Sequence, residues 1–159
     1  FLSHLRIEAS LPKVLLGCNI HSLTFQQMIL AIKKIESKLG IDISEGVIRR
    51  LDTKYTFNTK YKPKEYFKHL GNSRYYTRSI TGGTSLYYKN NNREKNLYDK
   101  TREMKIKRVI IPMEFLDKNI MRFECRYKNT FLKKFAIKYN YVLNILKLLL
   151  YLSISKTIN

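Results

Sequence analysis

The chain contains no tryptophan and only two cysteines, three prolines and three histidines. Acidic residues are also scarce, twelve against thirty-one lysines and arginines. Cys18 and Cys125 cannot build a disulfide framework, and neither has a His or second Cys at zinc spacing. A reducing cytoplasm is the expected compartment. A membrane span is missing as well: the most apolar run, Tyr141 to Ile154, is interrupted by Asn144 and Lys147. It falls short of the roughly 20 residues a bilayer requires and reads as a packing helix. No signal peptide opens the chain, which begins at Phe1 rather than methionine, so a fragment lacking upstream residues is expected.

What is present is positive charge. A formal charge of +19 on 159 residues, with 44% hydrophobic content, describes one domain with a real core and a strongly basic surface. A polyanion is the leading partner class. Solubility, an AT-rich genome or an anionic membrane surface are the plainer readings. Twelve tyrosines and eight phenylalanines suit core filling and base stacking alike.

The few acids are not scattered at random. Arg6-x-Glu8, Arg50-x-Asp52 and Arg122-x-Glu124 each place an arginine two residues before a carboxylate inside an alternating stretch. In a strand such residues share a face. Leu5 and Ile7, then Val47, Leu51, Tyr55 and Phe57, then Met121, Phe123 and Cys125, fall on the opposite faces. One side of a sheet thus reads as core and the other as a working face, unless the pairs are ordinary cross-strand salt bridges.

Between these stretches the period changes. Thr24-x-x-Gln27 forms a capping box for a helix with Phe25, Met28, Ile29, Ile32, Ile35 and Leu39 on its apolar stripe, ending at Gly40. Pro63 opens a second, short helix carrying Tyr66, Phe67 and Leu70, closed by Gly71. Strands are expected from Arg74 to Ile80 and from Ser85 to Lys89 around Gly82-Gly83, then from Arg93 to Asp99 after the Asn90-Asn91-Asn92 turn. A polar connector precedes the Arg122 strand, and helical segments follow around Phe131 to Phe135 and Val142 to Leu152. The fold class is α+β, a largely antiparallel sheet with helices packed on one face, in a single domain over 1–159. Two subdomains divided near Lys105 are the second reading.

Four blocks in this order, IEASLPKVLLGCNI, RRLDTKYTF, TSLYY with NLYDKTRE, and MRFECRYKNTFLKKF, resemble the replication initiators of filamentous phages and related plasmids, the gene II/X replication protein family. Each block alone is weakly specific, and their order over nearly the whole chain carries the likeness. The resemblance implies a replication-initiator endonuclease-like fold and an origin-specific nicking and joining enzyme that starts rolling-circle replication in a bacterial host. It implies a tyrosine that attacks one strand, becomes linked to the 5′ phosphate and leaves a 3′ hydroxyl for the host polymerase and helicase. The family's nucleophile motif falls on Tyr98, Lys100 and Glu103. Lys100 is then suited to meet a phosphate, and Glu103 to act as general base or an added metal ligand. Tyr87 and Tyr88 are the other candidate nucleophiles.

A phenol titrates near 10, so attack on a phosphodiester needs help with its proton and with the phosphate charge. A divalent cation provides both. Glu8, Asp52 and Glu124 offer hard oxygen ligands that select Mg2+ or Mn2+, provided their strands are neighbours. The His-hydrophobic-His motif of many related nicking enzymes is absent, and His4 is only a possible contributor. Arg6, Arg50 and Arg122 would keep the acids ionised or hold phosphates, and Arg126 joins them. Arg74, Tyr75, Tyr76, Arg78 and Lys89 suit a DNA-binding hairpin, with origin DNA as the partner. Lys133, Lys134 and Lys138 extend that basic surface. A binding protein without catalysis and an enzyme acting on RNA are the competing classes.

Overall fold

The computed structural model describes residues 5–44 and 46–134. It divides into two compact units, whose described parts are residues 5–47, apart from residue 45, and residues 48–134. The division falls between Val47 and Ile48.

The first unit holds two helices that pack together, α1 (Leu11–Leu16) and α2 (Phe25–Leu39). α2 begins on the expected capping box: the Thr24 side chain accepts from the Gln27 N–H, while Gln27 Oε1 accepts from the Thr24 N–H. Gly40 closes the helix in the left-handed region, at a φ of 67°, and donates its N–H to the Glu36 carbonyl. The strand expected at Leu5 to Ser10 is absent, since those residues carry no regular structure. Pro12 lies in the first turn of α1 and Gly17 caps its end at a φ of 73°, so the chain is committed to a helical turn directly after Ser10.

The second unit is a five-stranded sheet in the order β1-β5-β4-β3-β2, antiparallel throughout. Its strands are β1 (Arg50–Thr59), β2 (Thr77–Thr81), β3 (Ser85–Lys89), β4 (Arg93–Asp99) and β5 (Asn119–Lys128). The last strand in sequence inserts between the first and the fourth. α3 (Pro63–Phe67) lies in the crossover from one sheet edge to the other, and Gly82-Gly83 makes the β2–β3 turn with positive φ at both glycines. The stretch from Asp99 to Asn119, expected as a polar connector, contains α4 (Lys100–Ile106), which packs against β5. Asp99 caps it by accepting from the Arg102 N–H over 2.8 Å. α5 (Asn129–Lys134) follows β5; the helix expected at Val142 to Leu152, Lys138, Phe135 and His4 lie outside the described residues.

Directly opposed residues of antiparallel strands share a face. Leu86 and Tyr88 of β3, Leu97 of β4, Met121 of β5 and Phe57 of β1 therefore stand together, and Phe67 and Tyr66 of α3 pack on them. Arg78 of β2 ties α3 down by donating to the carbonyls of Phe67 and Leu70 over 2.9 and 2.8 Å. Tyr88 donates to the Gly71 carbonyl over 2.6 Å. That face is the core, and the other carries Asp52, Thr56, Tyr87, Glu94, Asn96, Tyr98, Arg122, Glu124 and Arg126.

Candidate functional site

The polar face is laid out in rows across the sheet. In one, Asp52 opposes Arg126, which opposes Glu94, which opposes Lys89. Arg50 binds both oxygens of Asp52 over 3.0 and 2.9 Å, and Arg126 lies 3.3 Å from Asp52 and 3.5 Å from Glu94. Lys89 Nζ is 3.9 Å from Glu94. Cation and anion alternate along this row, so the charges of Arg50, Asp52, Arg126 and Glu94 are largely spent on one another, while half-exposed Lys89 at its end is held only loosely. The half-exposed pairs contribute little stability singly, but together they fix the side chains.

The next row holds Glu124 opposite Asn96, and the one beyond it sets Thr56, Arg122, Tyr98 and Ser85 side by side. Tyr98 and Glu124 are diagonal neighbours on adjacent strands, a separation an aromatic side chain can span. The Tyr98 hydroxyl donates to Glu124 Oε1 over 2.8 Å. Arg122 stands behind this contact, with no exposed surface, donating to Thr56 Oγ1 over 3.0 Å and lying 4.0 Å from Glu124. Burial, and then the Glu124 charge, push the Tyr98 phenol well above its ordinary value, while Arg122 works in the opposite direction. The hydroxyl stays protonated at neutral pH, with its proton aimed at a carboxylate.

α4 closes one end of the face. The Lys100 side chain is 2% exposed and pairs with Glu103, which also takes Lys107 Nζ at 2.5 Å. Burial holds Lys100 below the usual lysine range despite that pairing. For Glu103 burial works upward, yet the hydrogen bonds from Lys100 and Lys107 prevail and leave the carboxyl below its ordinary value. A hollow of about 160 Å3 lies here, lined by Ser85, Tyr98, Arg102, Glu103 and Lys107 among others.

Several expectations change on this geometry. Arg122 is too deep to hold a DNA phosphate and instead supports Glu124 from within. Lys100 is buried likewise and anchors Glu103. Glu103 is ion-paired twice, to Lys100 and Lys107, whereas Glu124 is the carboxylate that accepts the Tyr98 hydrogen bond. Arg78 is used on the carbonyls of Phe67 and Leu70. Arg6 and Glu8 form an exposed pair at 3.4 Å outside any strand, so the sheet-face reasoning that grouped Glu8 with Asp52 and Glu124 does not apply to it. Tyr88 is committed to the core face, whereas Tyr87 shares the polar face with Tyr98.

Among the described residues no three of His, Cys, Asp and Glu lie close enough to hold a metal ion. The oxygen donors that do fit a hard divalent cation are Glu124 and Asn96. Oδ1 of Asn96 is buried with no hydrogen-bond partner, directly across from Glu124, while Asp52 is taken up by two arginines. Asn96 was legible in principle, because it precedes Tyr98 by two residues in the same strand. Thr56 was legible in the same way, four residues beyond Asp52.

Among the described residues no helix is long and apolar enough to cross a membrane. Neither the curated proteins nor the solved structures compared with the chain provide a match. A family model does match over residues 1–145, that of the N-terminal region of the phage gene II replication-associated protein.

Proposed function

Since the chain belongs to the family of the phage gene II replication-associated protein N-terminal region, and so serves phage replication initiation, we propose that it nicks and rejoins one strand of origin DNA with Tyr98 as nucleophile. The observation that carries this reading is the 2.8 Å hydrogen bond from Tyr98 to Glu124. Glu124 takes the phenolic proton as the tyrosine oxygen attacks phosphorus. The phosphorus–O3′ bond breaks, the departing oxygen takes a proton from water, and the products are a 5′ phosphotyrosyl linkage and a free 3′ hydroxyl. Rejoining is the same step reversed.

Arg122, 4.0 Å from Glu124, sets a positive charge behind the carboxylate, and Thr56 fixes the guanidinium. Arg102 and Lys107, lining the hollow beside Tyr98, supply positive charge where a phosphodiester would rest. Mg2+ or Mn2+, bound through Glu124 and the Asn96 amide oxygen, would add charge neutralisation at the phosphate. The reaction takes place in the cytoplasm of the bacterial host.

A second reading, origin binding without cleavage, draws on the burial that pushes the Tyr98 phenol upward. A nicking assay on supercoiled origin DNA separates the two. Metal-dependent conversion to the open circle, abolished by Tyr98→Phe with binding retained, supports the nickase. Absence of cleavage by the intact protein supports binding alone, and undiminished cleavage by Tyr98→Phe removes Tyr98 from the role.

A further inference from the structure

At the far end of the sheet from α4, where β3 turns into β4, lies a second and wider hollow of about 580 Å3, lined by Tyr75, Tyr76, Lys89, Asn91 and Asn92 among others. Asn92 immediately precedes β4, six residues before Tyr98, so the rise of a strand separates the two residues by about 20 Å along the backbone.

Tyr75 is built unusually. The residue is 75% exposed and its backbone has a φ of 67°, a left-handed conformation that a bulky side chain seldom adopts. Asn90 Nδ2 donates to the Tyr75 carbonyl over 3.3 Å, and the Arg74 guanidinium lies 4.7 Å from the ring centroid. The fold therefore spends backbone strain on presenting a largely exposed aromatic ring, whose one ring contact among the described residues is the Arg74 guanidinium. Tyr76 carries a buried hydroxyl without a hydrogen-bond partner. The side-chain amides of Asn91 and Asn92 make no hydrogen bond among the described residues, and each offers a donor beside an acceptor. Lys89 is half-exposed at the rim.

Exposed aromatic, uncommitted amides and flanking cations form the set that recognises an unpaired nucleotide. The ring stacks on the base, an amide pairs with the base edge, and Lys89 and Arg74 meet the phosphates on either side. A base inside a duplex presents neither its face nor its pairing edge. We infer that this hollow is a binding subsite for one unpaired nucleotide of single-stranded DNA, stacked on Tyr75 and contacted by Asn91 and Asn92. The inference rests on the reading of this chain as a DNA-processing protein. It adds that the DNA is open about 20 Å along the backbone from the reacting tyrosine.

The test is an anisotropy titration of the full chain against a labelled single-stranded oligodeoxynucleotide and the same sequence as a blunt duplex. Tyr75→Asn removes the ring while tolerating the left-handed backbone, so its unfolding midpoint should equal or exceed that of the wild type. Its single-strand affinity is expected to fall between about 5-fold and 150-fold, the range for loss of one stacked base, with duplex affinity unchanged. Tyr75→Phe keeps the ring and should keep the affinity. Unchanged single-strand affinity in Tyr75→Asn, or an equal loss on both DNAs, overturns the inference. Failure of the nickase reading looks different: Tyr98→Phe would still cleave, while Tyr75→Asn would still lose single-strand affinity and leave the subsite standing.

Discussion

Tyr98 and Glu124 meet across the β4–β5 seam over 2.8 Å, two register positions away from direct opposition, and the position opposite Tyr98 belongs to the buried Arg122. A phenol, a carboxylate and a guanidinium thus occupy three adjoining positions of one sheet face. If Glu124 accepts the phenolic proton, Glu124→Gln should lower the rate of strand cleavage by about 10²- to 10⁴-fold, the usual weight of a positioned base. DNA affinity should change little. Single-turnover cleavage alongside equilibrium binding provides the check.

Arg122 matters to the fold before it matters to DNA. Removing the fully buried Arg122 leaves the 27% exposed Glu124 without its counter-charge, at a cost of up to about 3 kcal/mol. Arg122→Ala should reduce unfolding stability by roughly that amount, and Arg126→Ala, which loses half-exposed pairs, by about 1 kcal/mol or less. Urea denaturation of the two variants compares them directly.

Glu103 gives stability a pH dependence. Its folded carboxyl titrates below the ordinary value of 4.5, so the folded state binds this proton less readily than the unfolded chain. The resulting stabilisation is complete above pH 4.5 and disappears as pH falls through the folded value. Glu103→Gln should flatten that part of the acid limb in a series of unfolding midpoints, with the difference from wild type largest near neutrality.

How much of this was legible from sequence differs element by element. Thr24 with Gln27, Pro63, and Gly82 with Gly83 are local signals whose hydrogen bonds or φ values are decided within a few residues, and each lies where expected. Parity correctly set Arg50 with Asp52 and Arg122 with Glu124, because both pairs lie in real strands. It failed at Arg6 and Glu8, where alternation over so short a run was overridden by the helix start at Leu11. Parity also gives a face and not a depth: Arg122, Glu124 and Arg126 alternate along one face of β5, yet their side chains are 0%, 27% and 35% exposed, a gradation no local pattern reports. α4 was hidden by its composition, since KTREMKI has only Met104 and Ile106 as apolar residues and no stripe. The Asp99 cap was its one visible sign.

The formal charge of +19 carries a prediction of its own. Binding to DNA should weaken linearly on a log–log plot against salt, with a slope near −0.9 for each phosphate neutralised on duplex. Arg74→Ala and Lys89→Ala should each reduce the slope by about one or less, whereas Arg122→Ala, buried, should leave it unaltered. Titrations at several salt concentrations distinguish the exposed cations from the interior one.

The most direct measurement is to trap the covalent protein–DNA adduct formed with a single-stranded origin oligonucleotide, digest it, and locate the modified peptide by mass spectrometry. The account predicts a nucleotide joined through its 5′ phosphate to Tyr98, and no adduct in Tyr98→Phe. An adduct on Tyr87, or one that persists in Tyr98→Phe, would contradict it.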